Sequence, residues 1–88
     1  MVRRRVVVRG RVQGVGFRYW LAGAAESRSV SGWVRNRPDG SVEAVFEGTP
    51  EAVESLVRVC HGGPHGADVA DVESTDEEPE GLAGFEIR

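Results

Sequence analysis

The stretch VSGWVRNRPDGSVEAVFE, residues 30–47, predicts the β-hairpin around which the rest of the fold is organised. Its first half, Val30–Arg37, alternates along the chain so that Val34 and Asn36 share one face, while Trp33 and Arg35 share the other. Pro38-Asp39-Gly40 is a strong turn signal, because proline presets its own φ and glycine tolerates a positive φ. Ser41–Glu47 then returns as the second strand, with an inward face of Val42, Ala44 and Phe46.

The elements that flank this hairpin follow from the same kind of pattern. Upstream, apolar residues alternate with arginine over residues 4–12, which predicts a strand, and a glycine-bearing loop follows. The next apolar stripe predicts a helix from Phe17 to about Ser29. Downstream, Thr49-Pro50-Glu51 has the residues favoured at a helix start. The remaining chain predicts a strand over 67–74, an acidic loop over 76–80 and a terminal strand over 85–88.

The order strand, helix, strand, strand, helix, strand predicts an α+β fold of the ferredoxin-like βαββαβ type. We expect a sandwich in which an antiparallel sheet of four to five strands carries both helices on one face. The first and second strands run the same way through a right-handed crossover, and the third lies between them. With 88 residues, the chain is expected to form a single domain, residues 1–88.

Charge is divided unevenly along the chain, and every basic residue is arginine. Residues 1–40 contain nine arginines and two acids, whereas residues 41–88 contain two arginines and twelve acids. A basic half can indicate an anion-binding or nucleic-acid-binding surface. The favoured alternative is that the halves pair across the sheet, with Arg5 and Arg9 of the first strand meeting Glu43 and Glu47 of the third.

Composition also limits the compartment and the cofactors. The single cysteine, Cys60, excludes an internal disulfide and fits a reducing cytosol. The apolar run near the N-terminus is too short for a signal peptide, and no stretch is long enough to span a membrane. We therefore expect a cytoplasmic protein, a monomer without membrane attachment. We expect no metal site and no cofactor, because no cluster of metal-ligating residues is present.

Residues 13–16, Gln13-Gly14-Val15-Gly16, have the composition of an anion cradle. Glycine removes side-chain bulk so that successive N–H groups can converge, and the following helix start adds a positive dipole end. Arg18 adds a guanidinium suited to phosphate oxygens. Asn36 is expected at the same sheet edge, about two inter-strand spacings or roughly 10 Å away. An ordinary tight turn with an exposed arginine is an equally weighted alternative on spacing alone.

Two segments resemble the signature motifs of the acylphosphatase family. Gly10-Arg11-Val12-Gln13-Gly14-Val15-Gly16-Phe17-Arg18 is similar to the family's Gly-x-Val-Gln-Gly-Val-x-Phe-Arg, and Gly32-Trp33-Val34-Arg35-Asn36 resembles its second motif. The resemblance extends weakly to residues 85–88. It implies that Arg18 holds a substrate phosphate and that Asn36 orients the attacking water. It also implies that backbone amides cradle the phosphate along Gln13, Gly14, Val15, Gly16, Phe17 and Arg18.

The resemblance therefore implies hydrolysis of acyl phosphates to a carboxylate and inorganic phosphate, which would be both product and inhibitor. The carboxylate is a good leaving group, so the reaction needs positioning and charge stabilisation rather than a catalytic triad. The substrate's own phosphate is the candidate base. His61 and His65 are expected to be capping or surface residues. Two alternatives stay open, a single-stranded nucleic-acid or anion-binding module of the same fold and a sensor that binds acyl phosphates without turnover.

Overall fold

The computed structural model describes all of residues 1–88 and contains five strands and two helices. The elements in chain order are β1 (Val2–Arg11), α1 (Phe17–Ser27), β2 (Ser31–Asn36), β3 (Val42–Gly48), α2 (Pro50–Cys60), β4 (Asp68–Glu77) and β5 (Phe85–Ile87). The predicted order is confirmed, and all boundaries but one fall within two residues of those predicted. Neither helix is long enough, at eleven residues, to cross a bilayer.

The sheet has the strand order β4-β1-β3-β2-β5, and both helices pack on one of its faces. As predicted, β3 lies between β1 and β2 and is antiparallel to both. Alternate residues of these strands point toward the helices and form the core with the helices' apolar stripes. The largest side chains of this core are Phe17, Leu21, Phe46 and Leu56.

The start of α2 shows why the sequence places a helix there. The Thr49 hydroxyl accepts a hydrogen bond from the amide of Ala52 at 3.2 Å, and Pro50 occupies the first turn, where a missing N–H costs nothing. Glu51 adds a negative charge at the positive end of the helix. The helix ends at Cys60, and exposed His61 occupies the C-cap position, so the prediction that this histidine is a capping or surface residue is confirmed.

The expectation of a purely antiparallel sheet is wrong, because β5 pairs in parallel with β2. The reason lies in where β4 ends. The end of β4 lies beside the start of β1, and the chain then crosses to the opposite edge of the sheet through residues 78–84. It therefore meets β2 near its start, with Gly32 opposite Phe85, and runs in the same direction as β2. This path carries Arg88 to the end of the sheet at which β2 also ends.

The predicted limits of the fourth strand are also wrong, because Asp76 and Glu77 belong to β4 and not to a solvated loop. In this register their carboxylates reach arginines of β1: Glu77 bonds to Arg3 and Arg5, and Asp76 to Arg4. Asp76 and Glu77, which were predicted to lie in a loop, thus pair with the arginine-rich strand β1. Cross-strand charge pairs of this kind stabilise a sheet by about 0.2–1 kcal/mol each.

Pairing of the basic and acidic halves across the sheet is confirmed, with one partner corrected. Arg5 forms an ion pair with Glu43, and Arg3 with Glu47. Arg9 instead pairs with Glu73 and Asp71 of β4. On β4 the residue directly opposite Arg9 is Asp71, whereas the pairing of β1 with β3 ends at Val8 opposite Val42.

Candidate active site

The loop between β1 and α1 is built to leave its amides free. Gly14 and Gly16 have φ values of 77° and 75°, a conformation that L side chains rarely adopt. The amides of residues 13–16 donate to no backbone acceptor. Those of Phe17 and Arg18 have no acceptor within their own helix, and the Gly16 cap offers no side-chain oxygen. The six predicted cradle residues therefore present unpaired N–H donors at the positive end of α1.

Gln13 joins this loop to the β2–β3 hairpin through its side chain. Its Nε2 atom donates to the carbonyl oxygens of Arg37 at 2.8 Å and Ser41 at 2.9 Å. Both acceptors lie in the turn that directly follows Asn36. The loop and the end of β2, which are separated by β3 in the sheet, are thus held together by one amide. Sequence reasoning included Gln13 for its backbone amide and missed this bridging side chain.

Arg18 and Asn36 line the same open cleft at the end of the sheet. Arg18 projects from the first turn of α1, and its Nη1 atom donates to the carbonyl oxygen of Arg88 at 2.9 Å. It makes no ion pair, in contrast to most arginines of this chain. Asn36 is exposed at the end of β2, and its side-chain amide makes no hydrogen bond with the protein. Both side chains are therefore free to bind a ligand.

The open face of the sheet supplies the rest of the cleft wall, which sequence reasoning did not assign to the site. Its residues are Arg5, Trp33, Arg35, Glu43 and Arg88. Strand alternation places the first four on one face and could have indicated them. Arg88 could not be found in this way, because its position depends on the parallel pairing of β5.

Trp33 is part of this wall, and arginine guanidinium groups cover its ring. The guanidinium of Arg88 lies 4.7 Å from the ring centroid, with those of Arg5 and Arg35 at 5.8 and 6.0 Å, within the range of cation–π contacts. Only 9% of the residue is exposed. The predicted position of Trp33 on the open face is confirmed. Because its ring is covered, it provides no free platform for stacking a nucleic-acid base.

Glu43 keeps this group of arginines in place. Burial alone would raise the pKa of its carboxyl, but the guanidinium groups of Arg35 and Arg5 lower the pKa below its ordinary value. The carboxylate is therefore charged at neutral pH and bonds to the Nε atom of Arg35 at 2.6 Å. This bond leaves the terminal nitrogens of Arg35 without a partner.

The other titratable groups that the sequence singled out lie away from the cleft. Cys60 is fully buried in α2, and burial raises the pKa of its thiol to about 12, so it is not a nucleophile at neutral pH. His65 is exposed in the segment after α2. No three histidine, cysteine, aspartate or glutamate side chains form a group that could hold a metal ion.

Comparison with known proteins establishes the family of this chain. The family model for acylphosphatase matches residues 4–87 of the chain. The chain belongs to the acylphosphatase family. It is 57% identical to an acylphosphatase from a Nostoc species over 88 residues, covering all of this chain and 87% of that protein. An acylphosphatase from Thermococcus kodakarensis is 55% identical over 98% of this chain and 94% of its own length.

A solved structure shows that the acylphosphatase fold is shared closely. The crystal structure of acylphosphatase from Bacillus subtilis superposes with a TM-score of 0.98 at 42% sequence identity, covering 100% of this chain and 99% of that one. The ferredoxin-like α+β fold predicted from the sequence is thereby confirmed. Its strand-to-helix loop and the end of β2 lie at one edge of the sheet, as the prediction required.

Proposed function

We propose that this chain hydrolyses the carboxyl–phosphate bond of acyl phosphates, with Arg18 and the amides of residues 13–18 holding the phosphoryl group and Asn36 positioning the attacking water. Family membership supports the reaction. The observation that carries the assignment of roles is that Arg18 and Asn36 line one cleft, while the free amides lie at the helix end beside it.

The phosphoryl group would bind at the helix end, where unpaired N–H donors and the dipole favour an anion. Arg18 has no aspartate or glutamate partner, and its one hydrogen bond to the protein is to the main-chain oxygen of Arg88. A phosphate offers two charged oxygens to the planar guanidinium, which one acceptor atom cannot match. These donors would also stabilise the charge that the equatorial oxygens carry in the transition state.

Hydrolysis then requires only a well-placed water. The Asn36 amide can accept a hydrogen bond from that water and donate one to a second group at the same time. Water attacks phosphorus, the bond from phosphorus to the acyl oxygen breaks, and the carboxylate leaves with the bonding electrons. An oxygen of the phosphoryl group accepts the proton of the water. The products are a carboxylate and inorganic phosphate, and no protein side chain needs to act as a base.

The test is release of phosphate from benzoyl phosphate by the purified chain. Arg18→Ala should weaken both substrate binding and turnover. Arg18→Lys should recover little, because a point charge cannot make two parallel hydrogen bonds. The matched control is Arg58→Ala, which removes an exposed arginine without an ion pair and should leave the kinetics unchanged. Binding of benzoyl phosphate without turnover would instead support a sensor, and full activity of Arg18→Lys would contradict the bidentate role.

The finer properties of the protein belong to the same proposal. We expect a monomer that acts in the cytoplasm as one domain of residues 1–88, without metal, cofactor or nucleic acid. The lone buried thiol suits a reducing compartment. Arginine–glutamate pairing across the open sheet face and the covered Trp33 ring disfavour single-stranded nucleic acid as a ligand. Binding of a labelled single strand that weakens steeply with salt would overturn this last expectation.

A further inference from the structure

We propose that the open-face part of the cleft is a subsite for the acyl group and that it selects acyl phosphates carrying a second carboxylate, with Arg35 and Arg88 as its specificity-determining residues. This inference rests on the proposed function, because it takes the phosphoryl group to lie at the end of α1. An acyl group bound next to Arg18 and Asn36 can then extend along the rest of the cleft, whose wall is the Trp33 face of the sheet.

Two arginines of this wall retain unused hydrogen-bond donors. Arg35 contacts Glu43 only through Nε, at 2.6 Å, and Arg88 contacts Glu86 only through Nε, at 3.3 Å. Their terminal nitrogens make no hydrogen bond, and the two side chains are 51% and 46% exposed. Arg5 differs, because both its Nε and its Nη1 are occupied by carboxylates. Arg35 and Arg88 therefore keep both terminal nitrogens free, whereas Arg5 keeps only one.

Arg88 is connected directly to the phosphate end of the cleft. Its amide donates to the Val34 carbonyl at 2.8 Å, and its own carbonyl accepts from Arg18. Its guanidinium, 4.7 Å from the Trp33 centroid, lies on the same ring as that of Arg35. Two planar donor groups thus lie beside the exit from the phosphate site, an arrangement suited to a carboxylate.

An aromatic acyl group fits this wall less well. The only ring available for stacking, Trp33, is 9% exposed and is covered by Arg88. Four arginines and one glutamate line the cleft, so a neutral acyl chain would gain little from it while a carboxylate would gain a charged partner.

The test compares two substrates of equal chain length, succinyl phosphate and butyryl phosphate, which differ by a terminal carboxylate in place of a methyl group. The ratio of their kcat/KM values should be about five in favour of succinyl phosphate, the upper end of the range for an exposed charge pair. Arg88→Gln and Arg35→Gln should each lower this ratio by about threefold to fivefold. Added salt should lower it as well, because exposed pairs are screened. The ratio does not depend on the fraction of protein that is folded.

Arg58→Gln removes the same charge outside the cleft and should leave the ratio unchanged. Equal kcat/KM values for the two substrates, or a ratio that survives both cleft substitutions, would overturn the subsite while leaving hydrolysis itself in place. Absence of hydrolysis of either substrate would overturn the proposed function and the subsite with it.

Discussion

Replacement of Glu47 should strongly destabilise this protein, because it removes a buried and charged carboxylate. Its side chain is fully buried at the end of β3, yet it is charged. Its carboxylate accepts a hydrogen bond from Arg3 at 2.8 Å. It also accepts hydrogen bonds from the backbone N–H groups of Glu80 at 2.8 Å and of Gly81 and Leu82 at 3.0 Å. These three amides belong to the segment that crosses from β4 to β5. One carboxylate therefore fixes the crossing on which the position of β5 depends.

The size of the effect follows from the pKa of this carboxyl. Burial would raise the pKa, but the Glu80 amide, the Arg3 guanidinium and the amides of Leu82 and Gly81 lower it from 4.5 to about 2. At about 1.4 kcal/mol per unit of pKa, this difference corresponds to about 3 kcal/mol of folding free energy. Glu47→Gln, which keeps the shape and removes the charge, should cost about that much at pH 7. In a domain of this size the melting temperature should fall by about 12–24 °C.

Urea unfolding of the two proteins at pH 7 and pH 3 measures this cost. Because the folded pKa lies below the unfolded one, the contribution of Glu47 is complete above pH 4.5 and is lost as the pH falls toward 2. The difference between the proteins should therefore shrink by about half or more at pH 3. Glu54→Gln is the control, since Glu54 also pairs with an arginine of β1 but is 54% exposed, and it should cost less than about 1 kcal/mol. Equal costs for the two substitutions, or a cost of Glu47→Gln that is independent of pH, would refute the reasoning.

Four further outcomes are expected. Asn36→Ala should lower kcat by about 10²–10³-fold with little change in KM, because the contact to water develops in the transition state; a tenfold loss of phosphate affinity would contradict this role. Inorganic phosphate should inhibit competitively in initial-rate measurements, since the loop recognises the phosphoryl group. Activity should survive excess chelator. Loss of activity with chelator that a divalent ion restores would contradict a metal-free mechanism. Gly32→Ala should destabilise by more than about 3 kcal/mol in urea, because the new Cβ would lie 1.8 Å from the Val45 carbonyl oxygen, whereas Gly23→Ala in α1 should stabilise by about 0.5–1 kcal/mol.

The parts of the fold that the sequence predicts correctly are those specified by local patterns. The turn at residues 38–40 fixes the hairpin between its strands, and Thr49-Pro50 fixes the start of α2. The loop proposed to hold phosphate was found for the same reason, because its glycines, its helix start and Arg18 are neighbours in the chain. The place of Asn36 followed from strand order alone, since β1 and β2 end at the same edge of the sheet.

The parts that were missed depend on contacts between distant residues. The direction of β5 is set by a crossing that Glu47 holds from β3, 33 to 35 residues earlier in the chain. The acids of β4 resemble a solvated loop until their partners on β1 are known. The partner of Arg9 depends on the register of β4, which places Asp71 opposite Arg9 and which alternation does not determine. Arg88 reaches the site through the first of these contacts, so its place in the cleft was missed although the terminal strand itself was predicted.

Ion pairing neutralises several arginines of this charged molecule and leaves others free. Arg3 is paired with three carboxylates and Arg5 with two, so these two arginines of β1 expose little free charge. Arg18 has no aspartate or glutamate partner, and its one hydrogen bond to the protein is to the main-chain oxygen of Arg88. Arg88 lies beside Arg18 because Glu47 fixes the chain crossing at the other end of the sheet. The same acidic half of the chain therefore neutralises the arginines of the sheet and leaves one cationic cleft, at the edge where the unpaired amides of α1 lie.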